Sequence, residues 1–248
     1  MKQPELSVVI PVYNEEARVG KALEGAVSYL KAKRISAEVL VVDDGSRDGT
    51  LEVVGKYKRK LTGRQSLTIL KHEVNKGKGA AVKTGAMAAK GKVVLFMDAD
   101  NATPLSEYDK LKPALAKGRE VVIGSRAVDR SQVKVHQPFY REAIGRIGNR
   151  LIQVLVVSGV KDTQCGFKAF THEAARVIFP LQTIERFGFD FELLFIAKKM
   201  GFSIEEISVQ WRDVPGSKLN PVRDTLRTFL ELLVIRWNDL NGSYRKAR

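Results

Sequence analysis

Cysteine is almost absent from this chain, and histidine is scarce. The single cysteine, Cys165, excludes an intrachain disulfide and a metal cluster built from several thiolates. His72, His136 and His172 lie in no recognisable catalytic pattern, so each is expected to be a surface or structural residue. The sequence therefore offers neither a thiolate metal cluster nor an evident catalytic histidine, and a reducing interior suits it.

Long apolar runs are also missing. The two longest lie near residues 151–160 and 229–237, and both fall well short of the roughly 20 residues that a membrane-spanning helix needs. Residues 1–13 lead directly into a strand-like run and show no pattern of a signal peptide. We therefore expect a cytoplasmic protein.

Two familiar nucleotide-binding patterns do not occur. The glycine-lysine loop at residues 75–85 lacks the GxxxxGK[ST] spacing of a P-loop, which disfavours ATPase chemistry. No GxGxxG follows the first apolar run, so a nicotinamide or flavin dinucleotide site is a poor fit.

Acidic residues are in short supply relative to basic ones. The 248 residues carry 42 Lys and Arg against 28 Asp and Glu, a formal net charge of +14. Such a surface attracts nucleic acid, anionic lipid headgroups or phosphorylated substrates, although solubility or adaptation to heat would also explain it. A basic nucleic-acid-binding protein is the alternative from another class. Against it, the basic residues are spread along the chain and no recognised binding motif occurs.

What the chain does have is a regular alternation of short β-branched runs and helical segments. The strands are predicted at 6–13, 37–44, 66–72, 92–100 and 120–126, and the helices at 15–33, 48–61, 78–90 and 105–117. Continuous apolar strands joined by helices predict an α/β fold, with a mostly parallel twisted sheet and helices on both faces. In such sheets ligands bind beyond the carboxyl ends of the strands.

The second half predicts fewer strands and more helix. Short strands are expected at 166–170 and 202–211, and helices at 138–159, 172–179, 189–200 and 221–240. No internal repeat or low-complexity linker divides the chain, so a single domain over residues 1–248 is preferred.

The most informative feature is a pair of carboxylates after an apolar strand. Asp98 and Asp100 follow the run VVLFM, and side chains two apart in an extended segment share one face. Two such carboxylates suit Mg²⁺ or Mn²⁺, which prefer oxygen ligands and bridge to phosphates. The alternative is a pair of solvated acids that open a turn before Pro104.

Two further strand ends carry polar groups. Asp43 and Asp44 end the second strand, where a carboxylate can accept hydrogen bonds from a base or a ribose; a turn with a helix cap is the alternative. Pro11 is expected to end the first strand, followed by the aromatic ring of Tyr13 and the carboxylate of Glu15. Helix-start acids alone would also explain Glu15.

These motifs, taken in order, are similar to those of a known family. PVYNE, VVDDGSRDGT, NKGKGAA, MDAD, IGSR, DTQCGFKAF and GSKL together resemble family 2 glycosyltransferases, the inverting enzymes that use nucleotide sugars. Within that family the chain resembles the polyprenyl-phosphate sugar synthases, and its DTQCGFKAF, FGFDFELL, VQW and GSKL segments resemble most the dolichyl-phosphate glucosyltransferase branch. The resemblance covers roughly residues 5–225 and implies a GT-A type fold.

The resemblance also implies roles for individual residues. The catalytic residues would be Asp98, Asp100, Arg126 and Lys218, with Asp100 and Asp98 on the metal, Mg²⁺ or Mn²⁺. The nucleotide would be bound by Pro11, Tyr13, Glu15, Val42, Asp44, Lys76, Asp98 and Ala99. Phosphates, including that of the acceptor, would be held by Arg126, Arg141, Arg212, Ser217 and Lys218. Asp190 and Glu192 would line the sugar pocket, and Asp190 as a catalytic base is the less favoured alternative.

The implied reaction moves a hexose, with UDP-glucose the favoured donor, to a polyprenyl or dolichyl phosphate. GDP-mannose, UDP-N-acetylglucosamine or a soluble hydroxyl acceptor are the alternatives. Residues 5–130 would form the nucleotide-binding half, 131–225 the acceptor half, and 226–248 a C-terminal helix with a basic tail. No nucleic acid is expected as a partner.

A lipid acceptor implies peripheral contact with the cytoplasmic face of an anionic membrane. Arginines in 141–150, and Arg223, Arg227 and Arg236 of the last helix, would supply an amphipathic basic surface. The alternative is that these helices pack on the sheet or in a homodimer interface.

Overall fold

The structure, a computed structural model, describes residues 3–129, 133–135, 156–214 and 221–245, with backbone alone for 133–135 and 221–229. The predicted helix at 138–159, with Arg141, Arg146 and Arg150, lies almost entirely outside these residues. So do Ser217 and Lys218.

The first half alternates strand and helix as the apolar pattern predicts. Its strands are β1 (Leu6–Val12), β2 (Ala37–Asp43), β3 (Gln65–Lys71), β4 (Val93–Met97) and β5 (Val121–Ser125). Its helices are α1 (Glu16–Ala32), α2 (Thr50–Lys58), α3 (Lys78–Ala88) and α4 (Tyr108–Ala116), the last preceded by a 3₁₀ turn at Leu105–Glu107. The β-branched residues of β1 and β2 are buried, since these strands are covered on both faces.

The second half confirms most of the predicted helices. Its strands are β6 (Val133–Val135), β7 (Phe167–Thr171), β8 (Ile204–Ser208) and β9 (Trp211–Arg212), and its helices are α5 (His172–Leu181), α6 (Phe189–Lys199) and α7 (Pro221–Leu240). The single strand predicted at 202–211 is wrong in extent. It divides into β8, in the main sheet, and β9, which pairs with β6 in a separate two-stranded sheet.

The main sheet has seven strands in the order β3-β2-β1-β4-β7-β5-β8. All of its pairs are parallel except those of β7, which runs antiparallel between β4 and β5. The prediction of a mostly parallel α/β sheet is therefore confirmed. From β1 the chain moves outward to β2 and β3, and it then crosses back to β4 on the other side of β1. The carboxyl ends of β1 and β4 thus meet where the winding reverses, which is where open α/β sheets bind ligands.

Helices cover both faces of this sheet, as predicted. One apolar core joins the sheet to α1, α2 and α4 through residues such as Leu23, Val54 and Leu111. The other joins it to α3, α5, α6 and α7 through residues such as Val82, Ile178 and Ile235. Among the described helices none is both long enough and apolar enough to cross a bilayer.

Candidate active site

Asp98 lies directly after β4, at the point where the sheet reverses its winding. Its backbone N–H donates to the Gly166 carbonyl (3.1 Å), and its carboxylate lies close to the Cα of Gly166. A Cβ atom at Gly166 would come within 2.1 Å of Asp98 Oδ2, so only glycine leaves room for this carboxylate. Gly166 therefore positions Asp98. The sequence alone did not indicate this role for Gly166.

Lys78 is the cation that faces Asp98, and sequence reasoning missed it. Its Nζ lies 2.6 Å from Asp98 Oδ1. Burial works against the charge, but the carboxylates of Asp98 and Asp190 outweigh it and raise the pKa of Lys78. Lys78 is the first residue of α3, after Gly77 with φ 119°. The turn thus aims the second lysine of NKGKG at the acidic pair, whereas the predicted Lys76 is exposed beside a different cleft.

Asp100 borders a cleft of about 310 Å³ between the start of α1 and the end of β9. The cleft is lined by Ala17, Arg18, Lys21, Asp100, Arg212, Asp213 and Val214. Asn101 adopts a left-handed conformation (φ 59°), and the Asp100 Oδ1 atom accepts the Ala102 N–H (2.9 Å) across this turn. Burial and then repulsion from Asp98 raise the pKa of Asp100. The cleft thus joins Asp100 to Arg212, two of the residues selected from the sequence.

Arg18 is a second functional candidate that the sequence analysis missed. Its Nε and Nη2 atoms bind both carboxylate oxygens of Glu15 (2.6 and 2.5 Å). The hydrogen bond to Glu15 is the main cause of its raised pKa, and Asp100 and Asp98 also contribute. Glu15 and Arg18 are three residues apart at the start of a helix, a spacing that indicates an ion pair. Glu15 thus orients an arginine at the cleft, and Tyr13, 37% exposed, lies just before it in the chain.

Asp43 and Asp44, at the end of β2, are more buried than Asp98 and Asp100. Asp44 Oδ1 accepts the Lys76 N–H (2.9 Å), and Oδ2 accepts the Gly77 N–H (2.8 Å). His72 Nδ1 lies 2.7 Å from the same Oδ1. Asp44 therefore holds the glycine-lysine loop, and its predicted contact with the nucleoside stays a prediction.

The two carboxylate oxygens of Asp43 differ in their hydrogen bonding. Oδ1 accepts the Ser46 N–H (3.1 Å), whereas the buried Oδ2 has no hydrogen-bond partner among the described residues. His72, the third group of this turn, also contacts Thr84 Oγ1 through Nε2 (2.9 Å). His72 is thus a buried structural residue, as expected.

Pro11 and Val42 lie in the sheet itself and not at its edge. Pro11 does not end β1, which continues to Val12; it is tolerated because the pairing of β1 with β4 stops at Val9. Val42 is fully buried, and its side chain packs toward Gly85 of α3. Its predicted position near the base stays a prediction. Ala99, 6% exposed, packs in the core below the acidic pair.

Arg126 is already paired with a carboxylate. Its Nε and Nη2 atoms donate to Asp162 (2.7 Å each), and its backbone N–H donates to the same side chain. Its guanidinium carbon lies 5.4 Å from the centre of the Trp211 ring. Burial opposes the charge, but Asp162 raises the pKa of Arg126. Its predicted phosphate contact stays a prediction, and Asp162 is a partner that the sequence did not indicate.

The two acids assigned to the sugar pocket lie inside the protein. Asp190 is 4% exposed, and its Oδ1 binds the fully buried Lys168 Nζ (2.5 Å). Burial raises the pKa of Asp190, although Lys168 and Lys78 act in the opposite direction. Glu192 has no exposed surface and accepts hydrogen bonds from Thr183, Ile184 and Tyr244. Glu192 therefore does not line a pocket and instead ties α6 to its surroundings.

Asp98 and Asp100 provide a chemical environment that fits a divalent cation. Asp98 Oδ1 is buried and, among the described residues, makes no hydrogen bond beyond its ion pair with Lys78. Burial, and then repulsion from Asp98, raise the pKa of Asp100, and a bound cation would relieve that repulsion. The described residues contain no group of three or more metal-binding side chains. A cation here would therefore draw its other ligands from solvent or substrate oxygens, as Mg²⁺ does in phosphate sites.

Comparison with known protein families gives one match that covers most of the chain. The family model described as Glycosyl transferase family 2 matches residues 7–179. Proteins named dolichyl-phosphate beta-glucosyltransferase are similar over nearly the whole chain. The one from Dictyostelium discoideum is 37% identical over 97% of this chain and 76% of its own length, and the one from Homo sapiens is 37% identical over 97% and 78%.

Solved structures of GT-A type share the fold. Glucosyl-3-phosphoglycerate synthase from Mycobacterium tuberculosis, in complex with Mn²⁺, UDP and its glucosyl product, superposes with a TM-score of 0.70 at 21% identity, over 94% of this chain and 80% of that one. Mannosyl-3-phosphoglycerate synthase from Rubrobacter xylanophilus gives a TM-score of 0.68 at 18% identity, over 99% and 77%. At these identities the likeness concerns the fold, and it confirms the predicted architecture.

Proposed function

We propose a specific reaction for this chain, which belongs to glycosyl transferase family 2, as the family match and the relatives at 37% identity show. The reaction is the transfer of glucose from UDP-glucose to a polyprenyl phosphate such as dolichyl phosphate, with inversion at the anomeric carbon. The observation that carries it is the placement of Asp98 and Asp100 at the winding reversal of the sheet, next to Lys78 and Arg18.

The donor diphosphate is the group that these charges suit. The cleft beside Asp100 contains the cationic side chains of Arg18, Lys21 and Arg212. Asp98 and Asp100 would hold Mg²⁺ or Mn²⁺, and a solved relative of this fold contains Mn²⁺ together with UDP-glucose. A bound cation stabilises the negative charge that grows on the leaving diphosphate. Lys78 and Arg18 add fixed positive charge near the same carboxylates, so the site is preorganised for that charge.

The acceptor phosphate supplies its own nucleophile. Its second pKa is around 6, so near neutral pH an ionised oxygen is available to attack the anomeric carbon. A new bond forms between that carbon and the phosphate oxygen while the bond to the UDP oxygen breaks, and the configuration inverts. No general base is required. This agrees with Asp190, whose carboxylate is buried and bound to Lys168.

Glucose and a lipid phosphate are favoured by the names of the relatives. The curated proteins at 37% identity are named for dolichyl phosphate and for a β-glucosyl product. Because UDP-glucose carries an α linkage, a β product implies inversion. A soluble phosphorylated acceptor is the second candidate, since the solved relatives are named for phosphoglycerate, but at about 20% identity they support only the fold.

The donor can be identified by a thermal-shift screen of UDP-glucose, UDP-N-acetylglucosamine and GDP-mannose with Mg²⁺ or Mn²⁺. Binding stabilises the folded state by RT ln(1 + [L]/Kd), so we expect the largest shift with UDP-glucose. Transfer of labelled glucose to polyprenyl phosphate, with 3-phosphoglycerate as the competing acceptor, then tests the acceptor. Efficient transfer only to the soluble acceptor would overturn the proposal.

The acceptor side has a test of its own in Lys218. Lys218→Ala should raise KM for the lipid phosphate more than KM for the nucleotide sugar, because its predicted contact is with the acceptor. Lys60→Ala is the matched control, since Lys60 forms an exposed ion pair with Glu24. An equal rise in both KM values would argue against the assignment.

A further inference from the structure

The C-terminal helix α7 has an apolar face that is exposed in the part of the chain that the structure describes. Leu230, Leu233, Val234, Trp237 and Leu240 are 44–75% exposed. At 100° per residue they share one face about 120° wide. Half of the ten exposed large apolar side chains in the described residues lie on this single face. From here on we call these five residues the α7 apolar face.

The opposite side of α7 is firmly attached to the domain. Leu232 and Ile235 are buried in the core beneath the sheet. Glu231 Oε2 accepts the Gly188 N–H (2.9 Å), and Asn238 Nδ2 donates to Thr183 Oγ1 (3.0 Å). The helix therefore already has its packing partner, and the apolar face is not explained by contacts within the described chain.

The exposed charges around this face are mainly basic, with Glu185 as an exposed acid in the neighbouring loop. Arg186, Arg236 and Arg245 are exposed. Two acids of this part of the helix are engaged: Glu231 with Gly188, and Asp239 with Lys199 and, at 3.8 Å, with Arg236. An apolar helix face flanked by exposed arginines matches an anionic bilayer surface, where apolar side chains enter the acyl boundary and arginines meet the headgroups.

A short series of contacts links this face to the acidic pair. Phe187, 41% exposed, precedes Gly188, which contacts Glu231 of α7. The same loop reaches the start of α3, because the Ala80 N–H donates to the Glu185 carbonyl (3.0 Å). Two residues earlier in α3, Lys78 pairs with Asp98.

We propose that the α7 apolar face, together with Phe187 and the flanking arginines, docks the protein on an anionic lipid surface. This deepens the proposed function, on which it rests, because a docked protein would receive a lipid-borne acceptor phosphate from the side of the loop at 185–188. The helix lies in the interface and remains packed on the domain through Leu232 and Ile235.

The first test is cosedimentation with vesicles of phosphatidylcholine and phosphatidylglycerol that contain no polyprenyl phosphate and no nucleotide sugar. The wild-type protein should bind these vesicles more tightly than pure phosphatidylcholine. Leu233→Ser with Trp237→Ser should weaken binding by about tenfold or more, since two inserted apolar side chains are lost. The control, Met87→Ser with Val128→Ser, removes exposed apolar groups elsewhere and should retain binding.

The second test leaves the α7 apolar face intact. Trp211 and Trp237 are the two tryptophans of the chain, so Trp211→Phe leaves Trp237 as the only reporter. Its emission should shift to the blue when anionic vesicles are added, and the shift should diminish at high salt.

Three outcomes would overturn the inference. They are no binding of the wild-type protein to anionic vesicles, equal binding by the Leu233→Ser, Trp237→Ser variant, or a dimer that this variant converts to monomer while vesicle binding is unchanged. Failure here is distinguishable from failure of the proposed function, because transfer to a short, water-soluble polyprenyl phosphate needs no bilayer.

Discussion

Two strand ends of this protein carry the same signature, an apolar strand followed by acids, and they are used in opposite ways. After β2, Asp44 is buried, and its carboxylate holds the backbone of Lys76 and Gly77. After β4, Asp98 pairs with Lys78, and Asp100 borders a cleft that Arg18 also lines. The difference lies in the donors that the fold brings to each pair.

The two pairs are nonetheless connected through one loop. Asp44 fixes the turn at Gly77, and the residue after that turn is Lys78, which pairs with Asp98. One acidic strand end therefore builds the support for the other. Substitutions at β2 should act mainly on stability, and substitutions at β4 mainly on activity.

The largest expected effect is a fall in kcat when Asp100, which follows β4, is replaced. Asp100→Asn should lower kcat by about 10²–10³-fold, because it removes the negative charge that would hold the cation. That cation would stabilise the leaving diphosphate. Glucose transfer with saturating donor and Mg²⁺ or Mn²⁺ measures kcat. Glu24→Gln, at an exposed ion pair, is the control and should be nearly silent. A rate close to that of the wild type would remove Asp100 from the mechanism.

The next effect tests the position of Asp98 without changing its charge. In Gly166→Ala the new methyl group overlaps the Asp98 carboxylate, which must rotate away. We expect kcat to fall by roughly tenfold or more, because misplaced catalytic groups are costly. Gly55→Ala in α2 meets nothing within 4 Å and should be neutral or slightly stabilising. Full activity of Gly166→Ala would show that the packing of Asp98 on Gly166 is dispensable.

The third effect is on stability at β2. Asp44→Asn replaces one acceptor oxygen by an NH₂ group, so a backbone N–H of the loop or His72 loses its partner. The free energy of unfolding should fall by about 2 kcal/mol, the usual cost of an unmet buried hydrogen bond. Urea denaturation of this variant beside Asp98→Asn is the measurement. If Asp98→Asn were more destabilised than Asp44→Asn, the inference that the acids after β2 act on stability and those after β4 on activity would be wrong.

The smallest effect concerns pH. Because burial and Asp98 raise the pKa of Asp100, the folded protein binds that proton more tightly than the unfolded chain does. The resulting cost is absent below the unfolded pKa of about 3.9 and complete above the folded pKa. Asp100→Asn should therefore equal or exceed the wild type in stability at neutral pH and lose that advantage below about pH 4. Denaturation at both pH values tests it, and a variant less stable at neutral pH would contradict it.

Much of the fold was predictable because it follows from local chemistry. The runs that became β1 to β5 are β-branched and continuous, and the segments between them have helical spacing, so each element forms where its own residues indicate. The antiparallel β7 and the division of 202–211 between two sheets were not predictable, because strand direction and pairing depend on distant partners.

The sequence by itself determined the α/β alternation, the family resemblance and the acidic pair after β4, because these are properties of neighbouring residues. The tertiary structure alone decided which acids stay available. In the folded protein Asp44 accepts hydrogen bonds from the loop backbone, Asp190 from Lys168 and Glu192 from Tyr244. Lys78 forms an ion pair with Asp98. The physical reason is that a carboxylate's role depends on the donors within hydrogen-bond reach, and most of these come from residues far away in the chain.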